Sequence, residues 1–204
     1  MFNSQIKVIV FDLGNVLIPF DYSVAISRLN SVEAGLGTRI YEHIKNNYHI
    51  HRDLEAGKIT EDEFISECLS LASVKIEREL FCDIHSKIFT VDEDVADLLP
   101  VLKENYRLVL LSNTNSIHQK YGWAHYPFLS HFEQLMLSHE IGAVKPEKEI
   151  YQAVMNYTAE KPEAHIFIDD IPEYIEGARS CGWDGIVFKG YPDLRQELEK
   201  RNLL

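Results

Sequence analysis

The 204 residues suffice for one well-buried core, alone or with a small insertion, and 46% apolar with 25% charged residues is a globular rather than a disordered composition. A formal net charge of −12 argues against nucleic acid, whose phosphates need a basic footprint. With no signal-peptide pattern and no apolar run of spanning length, a soluble, cytoplasmic protein without a membrane partner is expected.

In chain order, Val8 to Phe11 is an apolar, largely β-branched run that reads as a strand buried on both faces. It ends in Asp12, followed by Gly14 and Asn15, which permit a tight turn. Pro19 and Phe20-Asp21-Tyr22 make a connector, and from Ser23 to Phe89 the pattern is helical with no convincing strand. Thr60 to Glu63 reads as a capping box opening a helix with Phe64, Cys68 and Leu71 on one face. Ile76, Leu80, Ile84 and Ile88 form a second stripe at steps of four. The three cysteines, Cys68, Cys82 and Cys181, have no metal-ligand spacing and no even disulfide framework, and read as reduced, buried thiols.

From residue 92 helix and strand alternate. A helix lined by Val95, Leu98, Leu99 and Leu102 precedes the strand Leu108–Leu111, which ends in Ser112-Asn113. A strand over 134–138 leads to Val144-Lys145-Pro146-Glu147, with Pro146 expected in the first turn of a helix facing inward through Ile150, Val154 and Tyr157. The strand 165–168 ends in Asp169-Asp170, and a helix from Pro172 stops before Gly182. Gly185–Phe188 is the last strand expected. Trp123, His125, Tyr126 and Phe128 read as an aromatic packing cluster. This alternation predicts an α/β fold, a Rossmann-like three-layer parallel sheet interrupted after its first strand by a helical insertion.

Asp12, Ser112-Asn113, Lys145 and Asp169-Asp170 thus fall at or beyond strand ends, which in an open parallel sheet converge on one crevice. Carboxylates with a backbone carbonyl suit a hard divalent cation such as Mg²⁺. A lysine with a Ser/Asn pair suits a phosphoryl group, and an aspartate beside such a cation can attack phosphorus.

The ordered stretches FDLGNVL, LLSNTN, VKPE and FIDD resemble the four motifs of the haloacid dehalogenase superfamily. The stretch Tyr48-His49-Ile50-His51-Arg52 through Gly57-Lys58-Ile59-Thr60 adds a likeness to bacterial alpha-glucose-1-phosphate phosphatases. The resemblance implies a core domain of residues 1–19 plus 91–204 and a helical cap domain of 20–90. It implies a Mg²⁺-dependent phosphatase acting on a small phosphorylated metabolite, such as glucose 1-phosphate, through an aspartyl-phosphate, as monomer or homodimer. Asp12 would be nucleophile and metal ligand, with the Gly14 carbonyl and Asp170 as further ligands and Asp169 supporting through a water. Ser112 and the Asn113 N–H would hold phosphoryl oxygens, and Lys145 would balance charge.

The family's usual acid two residues after the nucleophile is absent, because that position is Gly14. Such an acid contributes about 10²–10⁴-fold. Three explanations stay open: a weakly basic leaving group, a proton from a water or a cap residue such as His49 or His51, or weak or lost turnover. The alternatives to a phosphatase are a 2-haloacid dehalogenase, which needs no such acid and no metal, and a non-catalytic binding protein on the same fold.

Overall fold

The computed structural model describes residues 5–204. Five strands, β1 (Val8–Phe11), β2 (Arg107–Ser112), β3 (Gln134–Leu137), β4 (His165–Asp169) and β5 (Asp184–Val187), form a parallel sheet in the order β3-β2-β1-β4-β5. β1 is central, and the register pairs Phe11 with Leu110 of β2 and with Ile168 of β4. Asp12 and Asp169, the residues just beyond Phe11 and Ile168, and Ser112, two beyond Leu110, therefore emerge at the same carboxyl edge. Alternation along the strands feeds two cores. Ile9, Phe11, Leu108, Leu110, Ile166 and Ile168 enter one, and Val8, Val10, Val109, Leu111 and Phe167 the other. Among the described residues no helix is long and apolar enough to cross a membrane.

Between β1 and β2 the chain builds α1 (Tyr22–Val32), α2 (Leu36–Asn46), α3 (Tyr48–Glu55), α4 (Glu61–Leu69) and α5 (Arg78–Ser86). These helices share a third apolar cluster, including Leu29, Ile40, Phe64 and Phe81. The capping box forms as expected: the Glu63 N–H donates to Thr60 Oγ1 at 3.2 Å, and the Thr60 N–H donates to Glu63 Oε2 at 2.7 Å. Leu80, in the first turn of α5, is 44% exposed, whereas Ile76, Ile84 and Ile88 of the expected stripe are buried. The two segments joining insertion and sheet run antiparallel, bridged at Phe20 and Phe89. The Thr90 N–H donates to Pro19 O at 2.9 Å, the Asp21 N–H to Ile88 O at 3.0 Å, and the Asp92 N–H to Leu17 O at 2.9 Å.

The helix expected after residue 92 is two, α6 (Glu93–Ala96) and α7 (Leu98–Lys103), with Asp97 capping both; its apolar stripe is nevertheless buried. Two very short helices follow, α8 (Ser116–His118) after β2 and α9 (Ser138–Ile141) after β3. Helix α10 (Lys148–Thr158) starts later than expected, with Pro146 outside it. Glu147 is extended there, its N–H closing a turn onto Val144 O at 2.8 Å and its carboxylate accepting the Val144 N–H at 3.1 Å. Its inward face carries Ile150, Tyr151 and Val154, whereas Tyr157 is 41% exposed. Helix α11 (Pro172–Ser180) is followed by Gly182 at φ 91°, as expected of a helix-ending glycine. A final helix absent from the sequence reading, α12 (Tyr191–Lys200), buries Leu194 and Leu198 in the core that Ile9 and Phe11 enter. Cys68, Cys82 and Cys181 are free thiols, and Cys181 is only half-buried.

Candidate active site

Asp12, one residue beyond β1, and Asp169, the last of β4, grip one cation between them. Lys145 Nζ lies 2.7 Å from Asp12 Oδ1 and 2.7 Å from Asp169 Oδ2. The lysine side chain is 1% exposed, and its ammonium also faces the rings of Phe167 and Tyr174 at 5.3 and 5.1 Å. Asp169 is fully buried, and its other oxygen accepts the Ile171 N–H at 2.8 Å. Asp170, half-buried, accepts from Asn15 Nδ2 at 3.2 Å; Asn15 sits at φ 55° in the turn after β1, a conformation asparagine tolerates.

Asp12, Asp169 and Asp170 each offer an oxygen within 4.8 Å of the others, a spacing that one metal ion could bridge. Burial pushes the Asp12 carboxyl up to about 8; Lys145 pulls against that shift and Asp169 adds to it. Burial and the neighbouring Asp169 also raise Asp170. Burial disfavours the charge on Lys145, but Asp12 and Asp169 outweigh it and hold the ammonium above its ordinary pKa. Three carboxylates thus share one internal cation. An oxygen-only set short of positive charge fits a hard divalent ion.

Lys145 has no helix to hold it, and Asn113 does that work. The Lys145 N–H donates to Asn113 Oδ1 at 2.8 Å, and Asn113 Nδ2 donates to Lys145 O at 3.2 Å. Arg52 of α3 also donates to Lys145 O, at 3.3 Å, tying the insertion to this loop. Behind Asn113, Ser138 Oγ accepts the Thr114 N–H at 2.9 Å and donates to Thr114 O at 3.0 Å, joining the ends of β2 and β3. Gly14, Ser112 and Asn113 line a cavity of about 90 Å³ with Tyr22, Glu55 and His118.

All seven residues singled out from the sequence, Asp12, Gly14, Ser112, Asn113, Lys145, Asp169 and Asp170, therefore lie at one edge of the sheet. Sequence reasoning missed Arg52, Glu55, Ser138 and Tyr174. Signals existed for Arg52, inside the stretch from Tyr48 to Thr60 that carries the family likeness, and for Glu55, an acid four residues after His51 on the same helix. His49 is exposed, and His51 is buried in an adjoining apolar cleft with Tyr41, Tyr48 and His85, which shares only Tyr22 with the cavity at Gly14, so neither histidine borders that cavity.

The chain resembles known proteins over almost its whole length. A family model described as haloacid dehalogenase-like hydrolase matches residues 6–182. The chain is 29% identical over 209 residues to D-ribitol-5-phosphate phosphatase of Bacteroides thetaiotaomicron, covering 95% of this chain and 97% of that protein. The crystal structure of the HAD family enzyme bt-2542 from the same organism, a complex with magnesium and inorganic phosphate, superposes with a TM-score of 0.78 at 28% identity, covering 90% and 94% of the two chains. A predicted HAD-like family hydrolase from Porphyromonas gingivalis gives 0.79 at 26% identity, covering 96% and 98%.

Proposed function

The chain belongs to the haloacid dehalogenase-like hydrolases, and from that premise we propose that it is a Mg²⁺-dependent phosphatase of a small sugar or sugar-alcohol phosphate. The observation that carries this reading is Lys145 held between Asp12 and Asp169 with Asp170 alongside. A dehalogenase working on carbon has no use for three converging acids. The complete relative named for D-ribitol 5-phosphate supports a polyol phosphate, and glucose 1-phosphate is kept as the competing substrate.

In this mechanism Asp12 attacks phosphorus in line and carries the phosphoryl group, which water then removes. Lys145 orients Asp12 and pulls its carboxyl towards the ionised form against burial, and Asp169 fixes the ammonium. Ser112 and the Asn113 N–H hold the phosphoryl oxygens as charge develops on them. Bound by Asp12, Asp170 and the Gly14 carbonyl, with Asp169 behind them, Mg²⁺ would offset the charge of the phosphoryl oxygens. Residues 20–90 act as a cap that supplies specificity, and residues 1–19 with 91–204 act as the catalytic core. The free thiols support a cytoplasmic location.

The test is a screen of D-ribitol 5-phosphate, glucose 1-phosphate, glucose 6-phosphate and 2-chloropropionate, each with Mg²⁺ and with excess EDTA. Mg²⁺-dependent phosphate release is expected. Metal-independent chloride release without phosphate release would overturn the reading.

A further inference from the structure

We propose that Glu55 gives the leaving oxygen its proton, in place of the side chain that position 14 lacks. The inference rests on the phosphatase reading and deepens it.

The geometry comes first. Glu55 is the last residue of α3 and borders the same small cavity as Gly14, Ser112 and Asn113. It therefore faces the phosphoryl-binding edge from the insertion side. Position 14 carries no side chain to fill the role, and a Cβ built there would lie 3.2 Å from the Phe20 ring, a tight contact.

The surroundings favour a carboxyl that carries its proton. The Glu55 side chain is 12% exposed and makes no hydrogen bond among the described residues. Its nearest basic neighbour, His51 Nδ1, is 3.7 Å away, too far for a hydrogen bond. It stands at the carbonyl end of its helix, where the backbone dipole disfavours an anion. Burial raises its pKa, against the pull of His51, Arg52 and Lys145. The other titratable groups around the cavity, Tyr22 from α1 and His118 from α8, supply no cation. Burial holds Tyr22 protonated and neutral and keeps His118 neutral by lowering its pKa well below the ordinary value.

The step balances. The Asp12 oxygen forms its bond to phosphorus as the bond from phosphorus to the ester oxygen breaks. The ester oxygen takes the Glu55 proton and leaves as a neutral alcohol. Glu55, now a carboxylate, accepts a proton from the water that attacks phosphorus. The bond from Asp12 to phosphorus breaks, inorganic phosphate departs, and Glu55 is protonated again.

The experiment compares kcat/KM of wild type, Glu55→Gln and Glu55→Asp on 4-nitrophenyl, phenyl and primary alkyl phosphates with saturating Mg²⁺. An aryl oxide leaves unaided and an alkoxide does not. Glu55→Gln should therefore lose about 10²-fold or more on alkyl esters. The alkyl-to-aryl ratio should fall at least about tenfold, and Glu55→Asp should recover part of it. Circular dichroism and competitive inhibition by inorganic phosphate establish that each variant is folded with its site intact. An equal loss across all esters, or no loss, would overturn the Glu55 assignment while leaving the phosphatase reading standing. A wild type inert towards every ester would overturn both.

Discussion

Asn113 and Lys145 clasp each other through two hydrogen bonds in opposite directions, the Asn113 carbonyl oxygen taking the Lys145 N–H and its amide nitrogen donating to the Lys145 carbonyl. A side chain at one strand end thus fixes the backbone of a loop that has no regular structure of its own. Asn113→Ala should lower stability by about 1–2 kcal/mol and reduce kcat more than it raises KM, because Lys145 is then free to drift from Asp12. Urea unfolding and steady-state kinetics measure both effects. Unchanged kcat would show that Lys145 is held by its ion pairs alone.

Replacing Asp12 with Asn removes the attacking oxygen and should cost at least about 10³-fold in turnover. The melting temperature should not fall, since burial and Asp169 both act against the Asp12 charge and Lys145 keeps its second partner. Residual activity above a tenth of wild type in freshly purified, undeamidated protein would remove Asp12 from the nucleophile role.

Metal binding should register without any substrate. Mg²⁺ at a hundred times its dissociation constant should raise unfolding free energy by about 2.7 kcal/mol. Asp170→Ala should shift the half-activating Mg²⁺ concentration upward at least about tenfold, ~1.4 kcal/mol of binding. Activity indifferent to exhaustive EDTA treatment would contradict the assignment.

The contact between α5 and α8 should be acid-sensitive through two neutral histidines. Burial and, secondarily, His51 depress His85 to about 3, and burial with His85 and His51 lowers His118 well below the ordinary value. Their rings lie 4.6 Å apart. Unfolded, each titrates near ~6.5. The stability they contribute is therefore complete above that pH and is lost as pH falls towards the folded values, by about 1.4 kcal/mol per unit for each histidine. Thermal unfolding between pH 7 and 5 should show this slope, and His118→Phe should reduce it. An unchanged slope in that variant would mean that His118 is protonated in the native state.

Strand positions were legible because buried parallel strands are continuous apolar runs, and all five strands stand within two residues of their expected ends. The acids, lysine and Ser/Asn pair were legible because each directly follows such a run or its loop. What escaped was whatever only packing decides. Asp97 interrupts an unbroken apolar stripe, Tyr151 rather than Tyr157 turns inward, and Pro146 is displaced by the turn that Glu147 closes. Arg52 and Glu55 escaped for a related reason. Their partners, Lys145 and the Gly14 cavity, lie on other elements far along the chain, and no local spacing encodes that meeting.

The antiparallel pairing of the two connectors at Phe20 and Phe89 limits how the helical layer can travel over the sheet. Two chains entering a layer separately would let it slide, tip and twist. Stitched together by hydrogen bonds, they bend as one ribbon, and the soft displacement is rotation about the line across it. Such a rotation carries α3, with Arg52 and Glu55 at its far end, towards or away from Lys145 and Gly14 along a single arc. Substrate admission and the placing of a proton donor would then be one coordinate rather than two.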